Sequence, residues 1–441
     1  MAAALTALAG LAGCGADQPG ETAIPEAAAA RDRGGAAVPV VVIPGMLGSR
    51  LANGQTGRTV WPSLADLLFG SDRLARLGLP LSVPAMARTA ADAVVPAGIV
   101  RRAGPVDFYG RLIARLERDH GPCVAPSAIA PDTGCVLLAW DWRRDLVEAA
   151  EGLEQAVAKL RAARDAPGLR VDVVAHSAGG LVARYYARFG GTDVLDRPAV
   201  THAPMTGARS LRRVILIATP NRGSIYGLQR VMRGERLGLS RLHPEVMATM
   251  PSIYQLLPHP DRDWMITVDG DTADIDLYDI ASWRQFREAI FLPEARARLV
   301  ARFPSPGARA AATDLLEARF ALGLRRGARF HRALDAPPVP GVTAPQILTV
   351  AAGCRPTAAV CLVEEADGRP VIRLQPGTIR NPRPGVDYRA RMIAPGDGRV
   401  TLASARAVPD SLGGLTVCAD HDRLPPDPAT VAAVVQFLSA P

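Results

Sequence analysis

The chain has 441 residues, 48% of them hydrophobic and only 21% charged, which excludes a disordered protein and leaves room for one large α/β domain with an insertion or for two domains. The net charge of +8 comes almost wholly from arginine, Lys159 being the single lysine, and no basic block with interleaved aromatics accompanies it, so nucleic-acid binding is set aside. No run approaches 18 uninterrupted apolar residues in the body of the chain, so no spanning helix is expected, while a basic surface near anionic lipid head groups stays open.

Residues 1–13 form a short apolar leader ending at Cys14, and Leu11-Ala12-Gly13-Cys14 resembles the bacterial lipoprotein processing box, in which the cysteine is lipidated and becomes the new N-terminus. No Lys or Arg precedes the apolar run. The resemblance implies a signal peptide over 1–13, an anchor at Cys14 and residence in the bacterial cell envelope, facing the periplasm or in the outer membrane, with secretion as the alternative. Residues 14–37 are small, polar and Ala/Gly-rich, a tether that as a flexible coil reaches roughly 25–30 Å.

Val38 to Ile43 reads as a buried parallel strand, closed by Pro44-Gly45-Met46-Leu47-Gly48-Ser49-Arg50-Leu51. Glycines at 45 and 48 let backbone N–H groups approach a ligand closely, and a loop leaving a strand end here is where the Met46 amide would serve as an oxyanion donor. Residues 52–104 have weaker periodicity and read as an insertion. Within it, Trp61 to Phe69 is an apolar patch that either packs under the fold or touches lipid. A helix is expected at about 106–119 and a strand over Val136 to Ala139, with Trp140-Asp141-Trp142-Arg143 at its exit. Asp145 then caps an amphipathic helix to about Arg164, its apolar face Leu146, Leu153, Val157 and Leu160, its acids early and its bases late.

Leu169 to Gly180 organises the rest. Val171, Val173 and Val174 form a β-branched strand, and Leu181 to Phe189 a helix, with Ala-His-Ser-Ala-Gly-Gly between them. A strand turning sharply into a helix holds its turn residue in a strained conformation that only small neighbours allow, and it lifts the Ser177 hydroxyl above the sheet. Ala175 stands where the usual pattern has glycine. Val214 to Ala218 is a further buried strand. From 225 to 340 the rhythm breaks into Arg-rich helices (Trp283 to Phe291, Glu294 to Phe303, Ala312 to Leu324), which read as a cap over the strand ends. There Arg287, Arg296, Arg298 and Arg302 alternate with Phe286, Ile290, Phe291, Leu299 and Phe303, a composition that fits either a solvated face or an anionic lipid interface. Sheet rhythm resumes at Gln346 to Ala352. A hairpin of Ala359 to Val363 with Pro370 to Leu374 follows, then a tight turn at Gly396 to Val400, a short strand Leu415 to Cys418 and a helix from about Pro428 to Leu438. The pattern specifies an α/β protein with a mostly parallel sheet, helices on both faces and a largely helical cap: core over 38–224 and 341–441, cap over 225–340.

A serine nucleophile needs a base and an acid to orient it, in the chain order serine, acid, histidine. Of seven histidines, only His421 follows a final strand and precedes a terminal helix; His202 is the runner-up, and His176 points the wrong way across the elbow. Asp397, in the Gly396-Asp397-Gly398 turn, is the best acid, with Asp387, Asp420 and Asp422 as rivals whose ordinary role would be a surface one. No His/Cys/Asp/Glu cluster has zinc or calcium spacing, so neither metal nor cofactor is required. With Cys14 assigned to lipid, two pairing schemes stay open: Cys123–Cys135 with Cys354–Cys361, leaving Cys418 odd, or Cys354 with Cys418.

Together, residues 40–51, Trp140 to Arg143, Ala175 to Gly180, Pro251-Ser252 with Leu256-Leu257-Pro258, and Gly396 to Val400 resemble the lecithin:cholesterol acyltransferase family, which includes phospholipases A and phospholipid:diacylglycerol acyltransferases. The resemblance spans about 38–440. It implies an α/β-hydrolase with a cap, a triad of Ser177, Asp397 and His421, oxyanion donors at the Met46 and Ala178 amides, and acyl transfer from a lipid ester to water or an alcohol. No cysteine pair lies near Trp61, where animal members hold a lid loop. Three readings follow in order: a lipid acyl-ester hydrolase of lipase or phospholipase A type working at a membrane surface, a lipid O-acyltransferase, and a non-catalytic envelope protein on a hydrolase scaffold. Head group, acceptor and oligomeric state are not legible.

Overall fold

A computed structural model describes residues 37–63, 70–81, 92–197, 200–409 and 411–440. The leader, Cys14 and the Leu64 to Phe69 part of the apolar patch lie outside the described residues.

Seven parallel strands form the central sheet: β1 (Val40–Ile43), β2 (Cys123–Val124), β3 (Cys135–Leu137), β4 (Val171–His176), β5 (Leu211–Ile217), β6 (Gln346–Ala352) and β7 (Ser411–Val417), in spatial order β2-β3-β1-β4-β5-β6-β7. The inner strands β1, β4, β5 and β6 are mostly buried and apolar because both faces are covered, while the edge strand β7 is largely exposed. Val41 and Ile43 of β1 pack towards helices α2 (Leu146–Ala163) and α3 (Ala178–Phe189), meeting Leu153, Val157 and Leu181 in one core. Val40 and Val42 point the other way, into a second core with Leu112 and Leu116 of α1 (Gly110–His120) and with Val431 and Val434 of α6 (Pro428–Ser439). Asp145 caps α2 as expected, its side chain accepting from the Val147 amide at 2.9 Å.

All seven strands run the same way, so their C-terminal ends lie along one edge. The order turns back beside β1, and such a switch point opens a crevice outside the strand ends. Residues 225–340 add no strand to the central sheet. They begin with α4 (Ile225–Arg233) and end with α5 (Pro306–Asp335), a single 30-residue helix where a shorter one is expected. Gly323 and Gly327 within it make room for Tyr254, whose ring or backbone would collide with a Cβ at either position. Arg326 ties α5 to the core through ion pairs to Asp145 at 2.8 Å and Asp193 at 3.1 Å.

The expected hairpin forms, as Cys361–Ala366 with Arg369–Arg373, and lies outside the central sheet, its first strand pairing also with Met265–Ile266. The cap's apolar residues do not face outward: Phe286, Ile290, Phe291 and Leu299 are buried, Arg296 pairs with Glu317 at 2.6 Å, and Arg298 and Arg302 converge on Glu245. The apolar side of this layer is packed inward, while its arginines, two to each glutamate, stay partly exposed and leave a net positive outer face. Among the described residues no helix is long and apolar enough to cross a membrane.

Cys123 is bonded to Cys135 and Cys354 to Cys418, leaving Cys361 buried and free with its thiol pushed up to about 12 by burial. The second bond joins the ends of β6 and β7 across a sequence separation of 64. A loop of that length removes about 4 kcal/mol of unfolded-chain entropy in the chain-entropy model. Replacing Cys354 and Cys418 together by alanine is therefore expected to lower the urea-unfolding free energy by a few kcal/mol. An unchanged midpoint would show that the bond contributes nothing.

Candidate active site

Ser177 stands where β4 turns into α3, with φ 52° and ψ −124°. A side chain held there costs roughly 1–3 kcal/mol, which the packing around it must sustain. That packing explains the small residues. A Cβ on Gly179 would sit 2.6 Å from the Ile43 carbonyl oxygen, and one on Gly180 would overlap the Thr219 side chain. Ala175 is fully buried and accommodated.

The other two residues arrive from distant parts of the chain. His421 follows β7 by four residues, and Asp397 closes the short strand Ile393–Gly396, which pairs with Arg355–Ala358 beyond β6. The Ser177 Oγ lies 2.9 Å from His421 Nε2, and Asp397 Oδ2 lies 2.8 Å from His421 Nδ1. The other Asp397 oxygen accepts from the Arg399 and Val400 amides at 2.8 and 2.7 Å, and the Asp397 carbonyl accepts from the His421 amide at 3.0 Å. The two loops are thus clamped through backbone as well as side chains. Burial would raise the Asp397 carboxyl, but the adjacent His421 and the two amides outweigh it and hold it below the usual carboxylate range. A carboxylate on Nδ1 fixes the imidazole tautomer that leaves Nε2 free to accept from a serine hydroxyl.

The rivals go elsewhere. Asp387 caps the Tyr388–Met392 turn, and Asp420 is exposed and paired with Arg355 at 2.8 Å. His202 is exposed, while His331 on α5 and His259 beside it are buried. Asp422 does not take a surface role: it forms a two-pronged pair with Arg399 at 2.7 and 2.8 Å beside His421.

His176 takes no part in the array; it lines the same space as Ser177 and braces the site through its two ring nitrogens. Its Nε2 lies 3.2 Å from the His421 carbonyl, which can only accept, so Nε2 carries the proton and Nδ1 accepts from the Tyr109 hydroxyl at 2.7 Å. That hydroxyl in turn accepts from the Gly45 amide at 3.0 Å. One chain of hydrogen bonds therefore joins the loop after β1 to the histidine loop. Three tryptophans hold the same first loop: Trp140 donates to the Pro44 carbonyl, Trp61 to that of Leu47 and Trp142 to that of Ser49, at 2.9, 2.9 and 3.3 Å. The Trp140 to Arg143 block thus acts by shaping the loop that carries Met46. Trp61 belongs to the buried core and not to a lipid-facing patch.

Burial holds both His176 and His331 at about 3, with a neighbouring histidine adding to the effect in each case. Their folded values lie below the unfolded value near 6.5, so between those limits the unfolded chain binds two protons that the folded chain does not. Stability therefore falls as pH drops below about 6.5 and stops falling from this cause near 3. The loss amounts to about 2 kcal/mol for each histidine between pH 7 and 5. Urea unfolding at the two pH values measures it, and a flat profile would contradict the neutral, buried assignment.

A narrow cavity of ≈ 30 Å³ opens over Ser177 and His421, walled by Met46, Tyr226, Arg230 and Arg399. Met46 and Ala178, the residues singled out as amide donors, lie on either side of the elbow: Met46 in the loop after β1, Ala178 as the first residue of α3. Two larger cavities adjoin it. One, of ≈ 240 Å³, shares Met46 and His176 and is lined by Leu47, Trp61, Val100 and Phe108. The other, of ≈ 290 Å³, shares Tyr226 and Arg399 and sets Gln229, Gln375 and Arg389 beside Pro356, Ala358, Pro376 and Ile393. Sequence reasoning missed this wall. Tyr226 lies between two guanidiniums, Arg230 at 4.7 Å and Arg399 at 5.0 Å from its ring centre, and Arg230 is buried in an ion pair with Glu235. Only Arg399 carried a signal, as the neighbour of the acid turn. Among the described residues no group of His, Cys, Asp and Glu is arranged to hold a metal.

No family model matches the chain, and no curated protein matches it in sequence. Among solved structures, a chain of the Tle4–Tli4 complex aligns with a TM-score of 0.57 at 15% identity, covering 91% of this chain and 98% of that one. The mature form of the Bacillus licheniformis lipase BlEst2 aligns over 94% of this chain and 96% of its own at 12% identity, with a TM-score of 0.34. At such identities the likeness is one of fold. A parallel sheet between helical layers, with an elbow serine at the end of its middle strand, is the α/β-hydrolase fold, and this chain has it.

Proposed function

We propose that this protein is a serine-dependent hydrolase of lipid acyl esters, of lipase or phospholipase A type, related in its site to the lecithin:cholesterol acyltransferase family by the five sequence blocks. The observation that carries the reading is the Ser177–His421–Asp397 array, with contacts of 2.9 and 2.8 Å, opening beside an apolar cavity of ≈ 240 Å³. The acyl chain lies in that cavity. Ser177 Oγ attacks the ester carbonyl as His421 Nε2 takes its proton, and the Met46 and Ala178 amides hold the oxyanion. Collapse breaks the bond to the leaving alcohol, which receives the proton from His421 and departs, leaving the acyl group on Ser177. Water, deprotonated by the same imidazole, attacks the acyl-enzyme to release fatty acid and restore the serine.

Two disulfides accord with an oxidising compartment, and with the Leu11 to Cys14 run they support residence in the bacterial cell envelope, anchored by lipid at Cys14. Incubating the protein with phospholipid and neutral ester, with and without a long-chain alcohol, tests the reading. Free fatty acid as the main product in both cases is expected. New ester as the main product when alcohol is present would make the protein an acyltransferase, and no product from any ester would overturn the proposal.

A further inference from the structure

An ester has two arms, and two cavities leave the space over Ser177. The apolar one suits the acyl arm. The other, of ≈ 290 Å³, has Arg389 and Arg399 on its wall with Gln229 and Gln375, and none of its lining residues is a carboxylate. Arg399 is built into this position. Its amide donates to Asp397, its guanidinium stacks over Tyr226, and its charge is shared with Asp422, which lies on the side of the reacting serine and not in the polar cavity. Arg389 is exposed on the short Tyr388–Met392 helix, and no hydrogen bond or ion pair engages its side chain among the described residues.

We infer that this second cavity takes an anionic phosphate on the leaving alcohol of the substrate, held by Arg389 and Arg399, so that the enzyme prefers net-anionic phospholipids over zwitterionic and uncharged esters. The inference rests on the lipid-ester reading and specifies its substrate. Two guanidiniums present paired N–H donors to phosphate oxygens, and such charge-assisted bonds are among the stronger ones available. A quaternary ammonium on the same head group would meet the same two positive charges and be disfavoured. Arg399 exchanges part of its pairing from Asp422 to the phosphate, and Arg389 completes the clamp. As the acyl–oxygen bond breaks, the alcohol and its phosphate stay in this cavity until His421 has protonated the leaving oxygen.

The test compares phosphatidylglycerol, phosphatidylcholine and diacylglycerol with identical acyl chains, each at low mole fraction in micelles of one anionic, non-hydrolysable surfactant. The surface charge seen by the basic protein is then the same for all three. The wild type is expected to show a kcat/KM about tenfold higher for phosphatidylglycerol than for phosphatidylcholine. Arg389→Gln and Arg399→Gln are each expected to bring that ratio close to one. Arg389 is exposed, so its replacement keeps the test valid if Arg399→Gln disturbs the Asp397 loop. A wild-type ratio near one, or a ratio unmoved in Arg389→Gln, overturns the inference while leaving the hydrolase reading intact. Absence of hydrolysis of all three lipids fails the reading itself.

Discussion

Ser177→Ala and His421→Ala are each expected to lower ester turnover by on the order of 10⁴–10⁶, and the double variant by little more. The reason is the shared proton. With the Ser177 Oγ at 2.9 Å from His421 Nε2, neither residue does chemistry without the other, so removing the second finds nothing left to lose. The residual rate measures what the Met46 and Ala178 amides and the cavity contribute alone. Ser177→Ala also relieves none of the backbone strain, because alanine is held at the same positive φ. The variant should therefore fold and unfold much like the parent. Full ester cleavage by a folded Ser177→Ala protein would contradict the account, and multiplicative losses in the double variant would contradict the coupling.

Asp397→Asn is the second large effect, an expected loss of about 10⁴ in kcat with a small change in KM. Asparagine keeps the shape of the turn, and its carbonyl oxygen can still accept from the Arg399 and Val400 amides. Its amide nitrogen, however, then faces His421 Nδ1 as a donor and stabilises the wrong tautomer, placing a proton on Nε2 where the serine proton must go. Charge is lost as well as orientation, since the ionised Asp397 carboxylate is what balances the imidazolium formed during attack. Asp420→Asn is the control: its carboxylate is exposed and held by Arg355. Activity lost in Asp420→Asn but kept in Asp397→Asn would mean that the acid is misassigned.

The elbow, the parallel sheet and the three residues of the array were legible in sequence because each depends on local pattern plus chain order. β-branched runs mark buried strands, small residues mark the serine turn, and the position of His421 between a last strand and a terminal helix singles it out. Other features depend on groups that meet only after folding. Tyr109 precedes a helix like many tyrosines, and its place in the chain from Gly45 to His176 reflects 64 and 67 residues of separation. The stacking of Tyr226 between Arg230 and Arg399 joins residues from α4 and the acid turn, and no periodicity announces it. The cap's pattern of arginine and phenylalanine fits a solvated face as well as a lipid interface, and composition cannot separate the two. In the fold Glu245 and Glu317 each hold two partly exposed arginines, and the aromatic residues pack inward around Phe320. The cysteines show the same limit. Spacing leaves Cys354–Cys361 and Cys354–Cys418 both open, and only the parallel pairing of β6 and β7, which brings Cys418 to Cys354, decides between them.

Covalent labelling shows whether Ser177 is the nucleophile. The protein is treated with a long-chain alkyl fluorophosphonate, its ester turnover followed, and its peptides mapped by mass spectrometry. One phosphonyl group per chain is expected, on Ser177, with turnover lost in proportion to labelling and no label on Ser177→Ala. Label on another residue with loss of turnover, or full turnover after Ser177 is completely labelled, would contradict that assignment.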